Sequence, residues 1–129
     1  MEVQGFNHIG INVKDMDASL AFYTTLLGLE VQKTVRMEDC TITYLLLPNG
    51  NRIELFDYYG NNKCAAIEES QVGYRHIAIE VDSVDEYHEL LNENGTPIVL
   101  QPTDLPQLGV RVLLFEDPGG TVLEFCQTL

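Results

Sequence analysis

Positive charge is scarce in this sequence: its 129 residues carry seven Lys plus Arg against 20 Asp plus Glu, a formal net charge of -13. So acidic a balance excludes a general binder of nucleic-acid backbones, which needs a basic face to displace counterions. It also argues against an anionic membrane surface as partner. Long apolar runs are lacking as well. No stretch approaches a membrane span, and no charged-then-apolar leader resembling a signal peptide is expected. Cysteine is limited to Cys40, Cys64 and Cys126, odd in number, widely spaced and without a Cys-x-x-Cys pair. That excludes a disulfide scaffold and a thiolate zinc site, and predicts a reducing, cytoplasmic location. Gly-x-Ser-x-Gly, P-loop and dinucleotide fingerprints are also absent. What is present is 45% hydrophobic and 21% charged residues, in a chain long enough to bury a core without staples. This is one ordinary domain, or two very small modules sharing a core.

The chain repeats itself. His8-Ile9-Gly10-Ile11-Asn12-Val13 and His76-Ile77-Ala78-Ile79-Glu80-Val81 share the pattern His-Ile-x-Ile-x-Val. Pro48-Asn49-Gly50-Asn51-Arg52-Ile53-Glu54-Leu55 aligns with Pro118-Gly119-Gly120-Thr121-Val122-Leu123-Glu124-Phe125 at nearly the same offset. Two matches in the same order indicate duplicated modules, over residues 4–59 and 74–128 of a single domain 1–129. The split falls around residues 60 to 73, where Gly60-Asn61-Asn62-Lys63 and Gly73 mark loop chemistry.

Each module supports the same coarse reading. Residues 6 to 13 alternate, so Ile9, Ile11 and Val13 share one face of a strand and His8, Gly10 and Asn12 the other. Asp15-Met16-Asp17 caps a helix whose apolar stripe is Met16, Leu20, Tyr23 and Leu27, with Gly28 placed to end it. Strands follow at 30–36, 41–47 and 52–57. The second module predicts a strand at 75–81, a helix opened by the capping box Ser83-Val84-Asp85-Glu86 and stopped by Gly95, then strands near 97–100, 110–115 and 121–126. Strand, helix and three strands, twice over, make an α+β fold of two βαβββ modules.

The strand period places four polar residues together in kind. Ile77, Ile79 and Val81 form the apolar face of their strand, leaving His76, Ala78 and Glu80 opposite. Ile53 and Leu55 take the helix side against Arg52, Glu54 and Phe56. Leu123 and Phe125 do so against Val122, Glu124 and Cys126. His8, Glu54, His76 and Glu124 thus leave their strands on the face away from the helix. Any one of them alone reads as a residue of a solvated sheet face. As a set, two imidazoles and two carboxylates at equivalent repeat positions are a natural ligand set for one divalent transition metal. Nickel, cobalt and zinc lead that list, and manganese and iron also accept such ligands. Four ligands leave octahedral positions open to water or substrate. His88 reads as a surface residue. Asp82, Asp85, Glu86 and Glu89 read as a solvated helix face rather than a calcium loop.

These residues carry a resemblance. Phe6-Asn7-His8-Ile9-Gly10-Ile11-Asn12-Val13, Phe22-Tyr23-x-x-Leu26-Leu27-Gly28-Leu29, Arg75-His76-Ile77-Ala78-Ile79-Glu80-Val81 and Glu116-Asp117-Pro118-Gly119-Gly120-Thr121-Val122-Leu123-Glu124-Phe125 span essentially the whole chain. It resembles the vicinal oxygen chelate superfamily, the glyoxalase I/bleomycin-resistance/dioxygenase fold. The resemblance implies paired βαβββ modules with curved mixed sheets forming a cup around one divalent metal, and a homodimer with sites at the subunit interface. The series His8, Glu54, His76, Glu124 is similar to the ligand series of bacterial glyoxalase I. It implies a lyase or isomerase that moves a proton next to a metal-chelated carbonyl, with Glu124 as base and Glu54 its counterpart.

The match has a gap at the substrate. Glyoxalase I carries an Arg four residues after its first ligand and an Asn four after its second, where this chain has Asn12 and Tyr58. The substrate therefore need not be the glutathione hemithioacetal. Arg36, Arg52 and Arg111 are the cations available to a small anionic substrate, and Asn12, Arg52, Phe56 and Arg111 are the expected substrate contacts. Two other functions compete. His8, His76 and Glu124 alone would suit a small non-haem iron oxygenase, against which Glu54 counts as an extra ligand. A metal-free protein that sequesters a drug or metabolite has the same fold, but such members generally lose the ligands kept here.

Overall fold

The computed structural model describes residues 1–63, 68 and 70–129. Cys64 lies outside the described residues, as does part of the expected split between modules. The chain divides into two compact units, Met1–Cys64 and Ala65–Leu129.

In the first unit β1 (His8–Asn12) leads through α1 (Met16–Leu20) to β2 (Glu30–Arg36), β3 (Thr41–Leu46) and β4 (Arg52–Asp57). The strands form one mixed sheet in the order β1-β4-β3-β2. β1 runs parallel to β4, and the other pairs are antiparallel. Asp15 caps α1 by accepting the amide of Ala18, as its position before the apolar stripe predicts. The expected single α-helix instead widens into a π-helix over Ala21–Leu26, where the Leu27 amide reaches back to the Phe22 carbonyl. The apolar stripe still reaches the core: Tyr23 is fully buried, with Ile11, Val13, Phe22, Leu45, Ile53 and Leu55. Gly28, at φ 75, ends the helix in a conformation that an L side chain resists.

The second unit repeats the plan. β5 (Ile77–Glu80), α2 (Val84–Glu93), β6 (Ile98–Leu105), β7 (Val110–Glu116) and β8 (Val122–Thr128) give the sheet order β5-β8-β7-β6. β5 is again parallel to β8. Ser83 caps α2 through the Glu86 amide, and Gly95, at φ 70, follows its end. Asp82, Asp85, Glu86 and Glu89 are exposed, as expected of a solvated helix face. Tyr87 of α2 packs on Phe125 at 4.5 Å between ring centres, which fixes Phe125 and its alternate residues as the helix-facing side of β8. Two strands run two or more residues beyond the end that the sequence predicts. β6 runs to Leu105 rather than stopping near 100, because a register shift between Leu100 and Thr103 lets this edge strand pass Pro102. β8 continues to Thr128 rather than 126.

The fold is therefore two four-stranded mixed sheets, each with one helical segment, in βαβββ order. No helix among the described residues is long and apolar enough to cross a membrane.

Candidate metal and substrate site

The parallel pairing of the first and last strand of each unit builds the same arrangement twice. In the first, Gly10 is the register partner of Glu54, and His8 stands two residues earlier on the same face. In the second, Ala78 is the partner of Glu124, and His76 stands two residues earlier. The result is one imidazole–carboxylate pair per unit. Nδ1 of His8 lies 3.0 Å from Oε2 of Glu54. Nε2 of His76 lies 2.9 Å from Oε2 of Glu124. Both carboxylates are well covered, Glu54 more so, with side-chain exposures of 6% and 15%.

Nitrogen and oxygen donors at these separations suit a cation. Two ligands each about 2.1 Å from a metal and at right angles to one another are about 3.0 Å apart. The same spacing suits a hydrogen bond, so a proton or a metal can bridge each pair. Nδ1 of His76 is buried without a hydrogen-bond partner among the described residues, which leaves Nε2 as the nitrogen available to a ligand. Among the described residues no three His, Cys, Asp or Glu side chains are gathered to hold a metal. The expected four-ligand set is present as two pairs, one within each unit.

Around the first pair the structure adds residues that the sequence reading did not mark as functional. Asn7 Oδ1 lies 2.7 Å from Nδ1 of His8 and accepts from Nη2 of Arg52 at 3.0 Å. Nη2 of Arg52 is also 3.5 Å from Oε2 of Glu54. The Arg52 guanidinium lies over the ring of Tyr44, 5.1 Å from its centre, and Nζ of Lys33 is 4.8 Å from the same centre. Asn7 carried a signal, standing beside a candidate ligand; Tyr44 and Lys33 emerge only once register is known.

Of the expected substrate contacts, Arg52 and Phe56 share the Glu54 side of β4. Phe56 lies against Gly10, where a Cβ would come within 3.2 Å of its Cε2, so a bare backbone at residue 10 makes room for the ring. Asn12 is exposed at the end of β1, opposite Phe56. Arg111 is placed differently. It pairs with Gln127 in the register, on the side that faces α2, where Gln127 accepts the Val84 amide. Its two terminal nitrogens bind Asp85 and Asp104, each at 2.8 Å. Those carboxylates raise its pKa and commit it to holding α2 and β6, away from the face of His76 and Glu124. Arg36 stacks on Tyr59 at 5.0 Å. His88 stays on α2, 2.9 Å from the amide nitrogen of Asn92. Cys126 shares the Glu124 side of β8. Burial, and then the Glu124 and Glu80 charges, push its thiol pKa up, so it stays protonated at neutral pH and offers no thiolate.

Comparison with known proteins gives the same picture at the level of fold. The family described as Glyoxalase/Bleomycin resistance protein/Dioxygenase superfamily matches residues 5–125. A Bacillus subtilis protein, YwkD, is 35% identical over 96% of this chain and 97% of its own length. The mitochondrial methylmalonyl-CoA epimerase of Bos taurus is 27% identical over 94% of this chain and 73% of its own. The structure of the trypanothione-dependent glyoxalase I of Leishmania major superposes with a TM-score of 0.80 at 28% identity. That match covers 97% of this chain and 87% of the other.

Proposed function

Because the chain belongs to the Glyoxalase/Bleomycin resistance protein/Dioxygenase superfamily, we propose that it is a divalent-metal-dependent lyase or isomerase of the glyoxalase I type. His8, Glu54, His76 and Glu124 are its metal ligands, supplied to one site by one chain or by two chains of a homodimer. The observation that carries this reading is the repetition of one imidazole–carboxylate pair at equivalent positions of both units. The similarity to a trypanothione-dependent glyoxalase I and to a methylmalonyl-CoA epimerase supports it.

When bound, the metal supplies Lewis acidity to a substrate carbonyl and so acidifies the neighbouring C–H bond. The protein's own residues do the rest. The Glu124 carboxylate takes the proton from carbon and returns it to the product. Glu124 suits that work because it is the more open of the two carboxylates, while Glu54 is the more enclosed. Arg52, itself held by the Asn7 side-chain oxygen, keeps Glu54 in one orientation. Substrate contacts come from Asn12, Arg52 and Phe56.

Metal content of the purified chain tests the proposal, together with turnover of a glutathione hemithioacetal and of an acyl-CoA epimer. Stoichiometric nickel, cobalt, zinc, manganese or iron is expected, lost in His76→Ala. Glu124→Gln should lower turnover by about 10²–10⁴-fold, the usual worth of a positioned base. Wild-type protein that takes up no metal after dialysis against any of these ions would sink the idea. Size-exclusion chromatography with light scattering tests the homodimer.

A further inference from the structure

We propose that Arg52 and Lys33, gathered about the ring of Tyr44, form a receptor for a two-oxygen anion carried by the substrate, a carboxylate or a phosphate, beside His8 and Glu54. The inference rests on the reading above and names the substrate class that the site takes.

The chain has only seven Lys and Arg, and two of them flank this one ring. They are brought there by register. Lys33, Tyr44, Glu54 and Gly10 are successive cross-strand partners, one row running across the sheet. Arg52 stands two residues before Glu54, on the same face. A lone Arg beside a buried Glu is ordinary charge compensation. Here the contact is a weak one, a single N···O distance of 3.5 Å, and the other bond of Nη2 goes to the neutral amide of Asn7. Arg111 shows what a spent guanidinium looks like in this molecule, with two carboxylates at 2.8 Å. Lys33 forms no ion pair among the described residues and is exposed.

The local balance is two cations against one carboxylate. A metal on Glu54 would neutralise that carboxylate and leave both cations in surplus. Stacking on an aromatic ring occupies the flat face of the guanidinium, and Asn7 and Glu54 take Nη2, so Nη1 of Arg52 and the ammonium of Lys33 are the donors left for a pair of oxygens. A neutral substrate would leave this surplus uncompensated; an anion bound at the edge of Arg52 answers it. The adjacency of Arg52 to Glu54 sets the anion beside that proposed metal ligand.

The test is an NMR titration of the whole chain as purified, with acetate, with methylphosphonate, and with acetamide as the neutral counterpart. Sodium chloride holds the ionic strength constant, and the Arg52 Nε–H signal and the amides of residues 33, 44 and 52 are followed. Saturable shifts with an anion and none with acetamide are expected. Arg52→Gln should weaken the binding by about tenfold or more, the worth of a charge-assisted hydrogen bond. Lys33→Met, on an exposed strand position that tolerates change, should weaken it severalfold, and Lys14→Met should leave it unchanged. Acetate bound the more tightly assigns a carboxylate substrate; methylphosphonate bound the more tightly assigns a phosphate. Shifts that fail to saturate, that acetamide reproduces, or that keep the wild-type affinity in Arg52→Gln or Lys33→Met overturn the receptor. Because binding is read without turnover, a chain that binds the anions but takes up no metal overturns the proposed function alone. A metal-loaded chain that ignores them overturns the receptor alone.

Discussion

Nε2 of His76 faces Glu124 at 2.9 Å, whereas His8 turns its other nitrogen, Nδ1, toward Glu54 at 3.0 Å. The two imidazoles of a repeated motif therefore present different atoms. The amide of Gln reaches as far as Nε2 of a histidine, and that of Asn only as far as Nδ1. His76→Gln should thus keep more metal than His76→Asn, and at residue 8 the order should reverse. Each mismatched amide should cost at least the tenfold or so in metal affinity that even an outer-shell change costs. Competition with a chromogenic chelator measures it.

The turn that aims β8 depends on Asp117. Its carboxylate, in a residue only 4% exposed, accepts the amides of Gly119 and Thr121, both at 2.9 Å. Asp117→Ala strands both donors and should destabilise the chain by about 2–4 kcal/mol in urea unfolding. Asp117→Asn keeps an acceptor oxygen in the same place and should cost about half of that or less. An equal loss in both variants would mean that charge, rather than the turn, carries the effect.

Arg111 should matter for stability and little for chemistry. Arg111→Gln removes the tie from β7 to Asp85 and Asp104, so the urea midpoint should fall. The deficit should shrink in high salt, because both carboxylates are more than half exposed. Metal content and turnover should hold. A selective rise in KM without loss of stability would return Arg111 to the substrate.

Cys40 gives a pH signature. Its thiol is pushed above the ordinary 9.0, first by burial and then by the Asp39 charge and hydrogen bond. An acid whose folded pKa is raised stabilises the fold below its unfolded value, and that contribution is lost as pH rises through the folded one. Iodoacetamide labelling of Cys40 should therefore lag behind that of a free cysteine and rise only at higher pH, and stability should decline above about pH 9. Asp39→Asn should move the labelling curve down only partly, because burial is the larger cause.

Periodicity made much of this legible. The alternation of Ile9, Ile11 and Val13, and the glycines at 28 and 95, placed elements within a few residues, because a strand needs period two and a helix end needs a left-handed residue. Pro102 hid the length of β6, since a proline inside a strand reads as a stop unless a register shift absorbs it. The π-helix at Ala21–Leu26 was hidden too, because its side-chain stripe differs little from that of an α-helix over so short a run. Arg111 was assigned by charge, although its true side follows from its pairing with Gln127. Tyr44 and Lys33 join the candidate site only through cross-strand register, which no local window contains.

Each His–Glu pair joins the first strand of its module to the last, with the helix and two further strands between them in the chain. A cation held across such a pair would act as a staple on nearly the full length of the module, and the stabilisation gained from such a clip grows with the loop it closes. Metal uptake would then register the completion of folding: a module whose last strand has not docked has no pair to offer.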